Sequence, residues 1–260
     1  CNLLSETLAL KETQADLWAE LALRAQNDEL DYVLHMGDQV YADEFRSDEE
    51  IAAPASAFAP DTHAAEGAGG EKLEKVDQLV FRKALKLLDG KDRSEWPSLI
   101  PQIEELYRQL YRETWGHKPT AVLLANVPNL SIFDDHDFVD NWGQLPHGRD
   151  KDRNSPDYFV ALRARQIYWE YQGSLSREID LNRVEENTKD HHFHVFGEYG
   201  VIMTESRGAG SFRYSKDDQT PFLGAEQWRD LEAAMAPGGM MERVKHLLIV
   251  CPCPVVYLPH

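Results

Sequence analysis

The chain has 260 residues and a mass of 29.7 kDa, with 42% apolar residues, enough for a sizeable core in one large domain or two small ones. Acidic residues outnumber basic ones 45 to 27, for a formal charge of -18, and no stretch concentrates basic groups. Such a charge repels nucleic-acid backbones and anionic membranes, whereas carboxylates are plentiful for divalent or trivalent cations.

Three cysteines, Cys1, Cys251 and Cys253, do not form an even framework, and Cys251-Pro252-Cys253 is too tightly spaced for a strong disulfide or redox motif. The later pair reads as buried thiols near a strand end. No apolar run reaches the length of a membrane span, and no basic-then-apolar signal segment opens the chain. The first residue is Cys rather than Met, so the chain reads as a processed product or a segment of something longer.

In chain order, residues 8–26 place Leu10, Leu17, Trp18 and Leu21 at helical spacing among charged residues, predicting an amphipathic helix packed on a sheet. Residues 32–36 form a short apolar run that Gly37-Asp38 ends, as expected of a buried strand running into a functional loop. Residues 52–70, rich in Ala, Pro and Gly without periodicity, read as a flexible insertion. Helices are predicted over 72–88 and 103–114, and a second buried strand over 129–133, between Pro128 and an acidic turn. A helix over 157–171, a hairpin of strands 192–196 and 201–205 around Gly197 and Gly200, a helix over 224–235 and a strand over 244–250 complete the pattern. Strands alternating with helices predict an α/β layered fold with ligands at the carboxyl ends of strands.

Two strand ends carry the chemistry. In Gly37-Asp38-Gln39-Val40-Tyr41 the glycine lets the backbone turn sharply, Asp38 projects from the strand end, and Tyr41 is close enough to share an ion with it. A phenolate suits a hard ion such as Fe(III), because the metal's charge favours the deprotonated form. Asp134, Asp135, His136 and Asp137 follow the second strand without a break. Such a density of negative charge in one turn is costly unless cations or hydrogen bonds compensate it. A metal site accommodates the cluster: one carboxylate coordinates, neighbours hold ligands in place, and the imidazole serves a phosphate oxygen or leaving group.

The run Leu34-His35-Met36-Gly37-Asp38-Gln39-Val40-Tyr41-Ala42-Asp43 resembles the first strand-end signature of the PhoD-like alkaline phosphatases, within the metallophosphoesterases, and Phe133-Asp134-Asp135-His136-Asp137 resembles the second. Val201-Ile202-Met203-Thr204-Glu205-Ser206-Arg207-Gly208-Ala209-Gly210-Ser211-Phe212, then Leu223-Gly224-Ala225-Glu226-Gln227-Trp228, is similar to the family's central segment in the same order. The resemblance implies a metallophosphoesterase-type α/β sandwich of mixed β-sheets flanked by helices, a partial domain over 1–260 that stops before the family's last motif. That motif, Gly-Asp-x-His or Gly-His-x-His, is not found up to His260. It further implies that Asp38 bridges two ions, that Tyr41, Asp135 and Cys1 are ligands, and that His136 contacts the phosphoryl group. Fe3+ and Ca2+ are the implied ions, with Zn2+ or Mn2+ as alternatives, a phosphate ester is the implied substrate, and a secreted or cell-envelope location is compatible. Where the family commonly has Asp before the central Arg, this chain has Glu205-Ser206-Arg207. Arg207 is a phosphate-contact candidate because a guanidinium matches phosphate oxygens bidentately.

Two other readings fit the residues: a non-catalytic binding or scaffold module with an incomplete metal site, and a calcium-binding structural domain. His192 and His194 alternate on one face of a strand and His191 points away, so the three read as a polar sheet face rather than a metal cluster. His35, within a strand, reads as buried structure, and Trp142 as core, with Asn141 beside it as a pocket-lining candidate. No Ser-His-Asp order, phosphate loop or dinucleotide fingerprint is present.

Overall fold

The computed structural model describes residues 16–42, 80–145, 148–181, 189–212 and 222–253. Cys1 and the insertion read over 52–70 lie outside these residues, as do the first halves of the helices read over 8–26 and 72–88.

Helix α1, Leu17–Gln26, starts where the Asp16 side chain accepts the Trp18 N–H at 3.0 Å, satisfying one of the orphan donors of the first turn. Its inward face differs from the sequence expectation: Leu17 is 76% exposed, Ala22 is buried, and Trp18 stacks on His35. The helix packs against α4, Lys118–Asn126, not flat on a sheet. Sequence reading passed over α4 because its short Ala-Val-Leu-Leu run lacks polar alternation, although Pro119 in the first turn marks a helix start. It also missed a 3-10 segment, Arg93–Leu99, that leads into α3, Ile100–Trp115.

Helix α2, Val80–Leu88, presents Val80, Phe81, Ala84, Leu85 and Leu88 on one buried stripe, and α3 does the same with Ile103, Tyr107, Leu110, Tyr111 and Thr114. Both pack against α5, Pro156–Tyr171, which is buried nearly all round and forms the spine of the helical core. Inside it Arg165 is paired with Asp190 at 2.8 and 2.9 Å, and Trp169 Nε1 donates to the same carboxylate at 3.1 Å.

Strands β1, Val33–His35, and β2, Asn129–Ser131, pair in parallel, with Val33 opposite Asn129 and His35 opposite Ser131. Both are shorter than the apolar runs that announced them; Ile132 and Phe133 continue past the ladder, with Ile132 N–H donating to His35 O at 3.1 Å. The second sheet has the order β3-β4-β5: β3, His192–Phe196, and β4, Tyr199–Met203, form a hairpin, and β5, His246–Val250, runs parallel to β4. The hairpin's second strand begins two residues earlier than 201, because the turn is only Gly197-Glu198, with Gly197 at φ +60°. Gly200 therefore lies in the strand, where a Cβ would meet Met241 Sδ at 2.8 Å.

Alternation along β4 builds two layers. Val201 and Met203 join Leu130, Ile132, Val250 and Leu34 between the sheets, while Ile202 packs outward with Ala234 and Met241 under α6, Gly224–Met235. The result is an α/β arrangement of a parallel and a mixed sheet flanked by helices, in agreement with the sequence expectation. No described helix is long and apolar enough to cross a membrane.

Candidate metal centre

Because β1 and β2 are parallel neighbours, their carboxyl ends open side by side, and each hands the chain to an acidic loop. The approach is close. Gly37 sits at φ +106°, and a Cβ there would lie 2.5 Å from Asp134 Cβ, so no other residue fits without displacing the second loop. Asp38 follows at φ +53°, a left-handed conformation that Asp tolerates better than most non-glycine residues but that surrounding bonds must still hold in place. Those bonds are present. Asp38 N–H donates to Asp137 Oδ2 at 3.0 Å, Gln39 Nε2 to Ile132 O at 3.1 Å, and Ala42 N–H to His136 O at 3.0 Å.

Within this frame Asp38, Asp135 and His136 each offer a ligand atom, all within 4.8 Å of one another. Tyr41 Oη donates to Asp38 Oδ2 at 3.1 Å, and its ring stacks on His136 with centroids 4.5 Å apart. Asp135 Oδ2 accepts the Asn141 N–H at 2.9 Å, and Asp140 Oδ1 lies 3.7 Å from His136 Nε2. Arg207 stands over the second loop: its Nε is bonded to Asp134 Oδ1, and its Nη2 is 3.2 Å from Asp135 Oδ1. Asp38, Tyr41, Asp135, His136 and Arg207 thus meet at one sheet edge, whereas Cys1 is outside the described residues.

The electrostatics are those of an acid-rich, largely buried cluster. Burial pushes the Asp38 carboxyl above its ordinary range, with the Asp134 charge adding to the shift, against opposing contributions from His136 and the Tyr41 hydrogen bond. Burial also raises Asp134, although its bond to Arg207 opposes the shift. The Tyr41 phenol is raised by burial and then by Asp38, so without a cation it keeps its proton and donates it to the carboxylate. Burial alone lowers the Arg207 pKa, but Asp134 and Asp135 outweigh it and hold the guanidinium charged. Carboxylates whose charged forms are penalised in this way are relieved by positive charge. Two carboxylates, an imidazole and a phenol are a donor set for a hard or borderline ion, so the residues fit a metal.

Several supporting residues escaped the sequence reading. Glu205, placed in doubt by its departure from the family pattern, is fully buried, and its Oε1 accepts the N–H groups of Arg207 and Gly208. Gln227 in α6 fixes Glu205 in turn, accepting its N–H at 2.9 Å and donating to its carbonyl at 2.7 Å. Only the run Glu205-Ser206-Arg207-Gly208 hinted at this, a carboxylate two and three residues before the amides it receives. Cys253 is buried beside the site, 3.4 Å from Ser206 Oγ and 3.9 Å from Asp134 Oδ1, and Cys251 is half-buried, close to the reading of two thiols at a strand end. Asn141 contributes its backbone N–H to Asp135, and Trp142 is core. His35 pairs with Asn129 at 2.9 Å inside the parallel sheet. His192 and His194 lie 2.7 Å apart on one face of β3, and His191 turns away to Asp230 at 2.9 Å.

No family model and no curated protein matches the chain. Among solved structures the chain is similar to that entitled "Structure of PhoD", with 14% identity and a TM-score of 0.48 over 89% of this chain and 38% of that one.

Proposed function

We propose that this centre binds metal ions and hydrolyses phosphate esters. The observation that carries the reading is the convergence of Asp38, Asp135 and His136, read from two distant stretches of sequence, into one group spanning 4.8 Å, with Arg207 on Asp135. Asp38, Tyr41 and Asp135 would hold the ions, joined by Cys1 if the resemblance to PhoD-like phosphatases extends to it. Oxygen-rich donors suit Fe3+ and Ca2+, with Zn2+ or Mn2+ as alternatives. When bound, such ions supply Lewis-acid charge for phosphoryl oxygens and a water of lowered pKa.

The chain's own residues account for the rest. Hydrolysis adds water across the P–O bond, so the leaving oxygen needs a proton and the phosphoryl oxygens need compensating charge. His136, oriented by the Tyr41 ring and by the Asp140 carboxylate, is placed to deliver that proton. Arg207 presents a guanidinium held at its backbone by Glu205 and is placed to receive the phosphoryl oxygens. What supports this reading over a purely calcium-binding domain is Arg207 beside Asp135, a guanidinium whose geometry suits phosphoryl oxygens.

Asp38→Asn is expected to abolish Mn2+ binding in calorimetry and to reduce turnover of an aryl phosphate by more than the roughly 10- to 100-fold that loss of a supporting group costs. Unchanged turnover and affinity would overturn the reading.

A further inference from the structure

Asp137 belongs to the acidic turn but has no part in the chemistry above. It is 2% exposed, and its two oxygens are treated very differently. Oδ2 accepts the Asp38 N–H at 3.0 Å and the Asp134 N–H at 2.9 Å, one from each strand-end loop. Oδ1 is buried with no hydrogen-bond partner among the described residues. A single acceptor atom therefore ties together two loops that are 99 positions apart in sequence, and it does so at the residue held at φ +53°.

We propose that Asp137 is the positioning residue of the centre: through one oxygen it fixes the left-handed backbone of Asp38 against the Asp134 loop and so sets the spacing of Asp38, Asp135 and His136. Three observations agree. Gly37 is pressed against Asp134 so closely that the two loops have one relative placement. The amide of Asp38 has the Asp137 carboxylate as its recipient, and a shielded amide that loses its acceptor destabilises the backbone that carries it. The Asp134 amide shares that recipient, so loss of the oxygen strands two donors at once.

The role needs an acceptor oxygen and not a negative charge, which separates it from that of a ligand. An asparagine keeps the oxygen and gives up the charge; an alanine gives up both. The proposal rests on the metal-centre reading for its consequence, but its geometry can be tested without metal.

In the full chain, Mn2+ affinity is measured by calorimetry for wild type, Asp137→Asn, Asp137→Ala and Asp38→Asn, and amide exchange at Asp38 and Asp134 by NMR without metal. The expected result is that Asp137→Asn binds Mn2+ within about 3-fold of wild type while Asp137→Ala loses roughly 10- to 100-fold, as supporting groups of metal sites do. Both amides are expected to be protected in wild type and in Asp137→Asn. If the alanine variant does not fold, the asparagine variant and the exchange data decide. Loss of Mn2+ in Asp137→Asn equal to that in Asp38→Asn would make Asp137 a charge-bearing ligand and overturn the proposal. Wild-type affinity in a folded Asp137→Ala, or free exchange of the two amides in wild type, would overturn it equally. Undiminished binding in Asp38→Asn, or none in wild type, would instead overturn the metal-centre reading, and the exchange data would still judge the clamp.

Discussion

Two shielded arginines show how the same chemistry serves different ends. Arg165 and Asp190 are 2% and 0% exposed at their side chains, matched cation to anion through two contacts, with Trp169 Nε1 on the carboxylate and the Phe212 ring 5.1 Å from the guanidinium carbon. Arg207 is also shielded, yet it faces Asp134 and Asp135 together, with Asp137 in the same turn and Asp38 in the adjoining loop. The first pair balances its charge and ties α5 to the start of β3. The second leaves an excess of buried acid at a sheet edge. Balanced buried charge is a structural tie, whereas unbalanced buried charge marks the place that an external cation would stabilise.

The strongest test of the contrast removes one member of the balanced pair. Arg165→Leu removes the guanidinium that faces buried Asp190 and is expected to cost about 3–5 kcal/mol in urea unfolding, with much of it restored in Arg165→Leu/Asp190→Leu. In the double variant Mn2+ affinity should stay at the wild-type value. A fall in affinity matching the fall in stability would erase the distinction between tie and site.

A second test uses pH. His192 Nε2 donates to Ser131 O at 2.9 Å, so its Nδ1 receives the proton of His194 Nε2 at 2.7 Å, and the neutral ring is the one that fits. Burial chiefly lowers its pKa from 6.5 to about 4. The folded state therefore binds fewer protons than the unfolded chain between those values, and the stability His192 contributes is full above pH 6.5 and lost as pH falls toward 4. The buried acids of the centre, raised above their ordinary range, act in the opposite sense. The quantity to measure is thus the stability of wild type minus that of His192→Gln, expected to shrink by roughly 3 kcal/mol on acidification. A pH-independent difference would show that the imidazole's charge state is irrelevant to the sheet.

The smallest expected effect carries opposite signs for opposite charges. Arg207→Gln removes the cation competing for Asp135, so Mn2+ should bind a few-fold more tightly while inorganic phosphate binds about 10-fold more weakly, a change of roughly 1.4 kcal/mol. Weakening of both would mean that Arg207 organises the pocket rather than balancing its charge.

Legibility in the sequence followed range of interaction. Gly37-Asp38 and Asp134-Asp135-His136-Asp137 were readable because each ends a short apolar run, and because two such acidic strand ends in one chain point to a site where either string alone reads equally well as a turn. The convergence of Asp38, Asp135 and His136 was implied by the family resemblance rather than by the residues alone, and the parallel pairing of β1 and β2 is what brings the two strand ends together. The part that escaped depends on contacts between a side chain and a distant backbone. Asp137 bonding the Asp38 amide and Gln227 embracing Glu205 leave no periodic trace. Helix periodicity found α3 and α5, but it assigned Leu17 to a buried face that Trp18 and Ala22 occupy, since spacing fixes a stripe only to within a residue at a helix start.

The parallel ladder of β1 and β2 also dictates when the centre can exist. The partners that define it, Asp38 and Asp137, are separated by 99 positions, and closing a chain loop of that length carries an entropic cost of about 4 kcal/mol before any contact forms. Neither motif alone, as a peptide or on a growing chain that has not yet reached β2, holds the geometry of the site. Assembly of the centre is therefore a late event in folding, and recovery of metal affinity after denaturation should report the slow, long-range pairing of these two strands rather than local ordering of either loop.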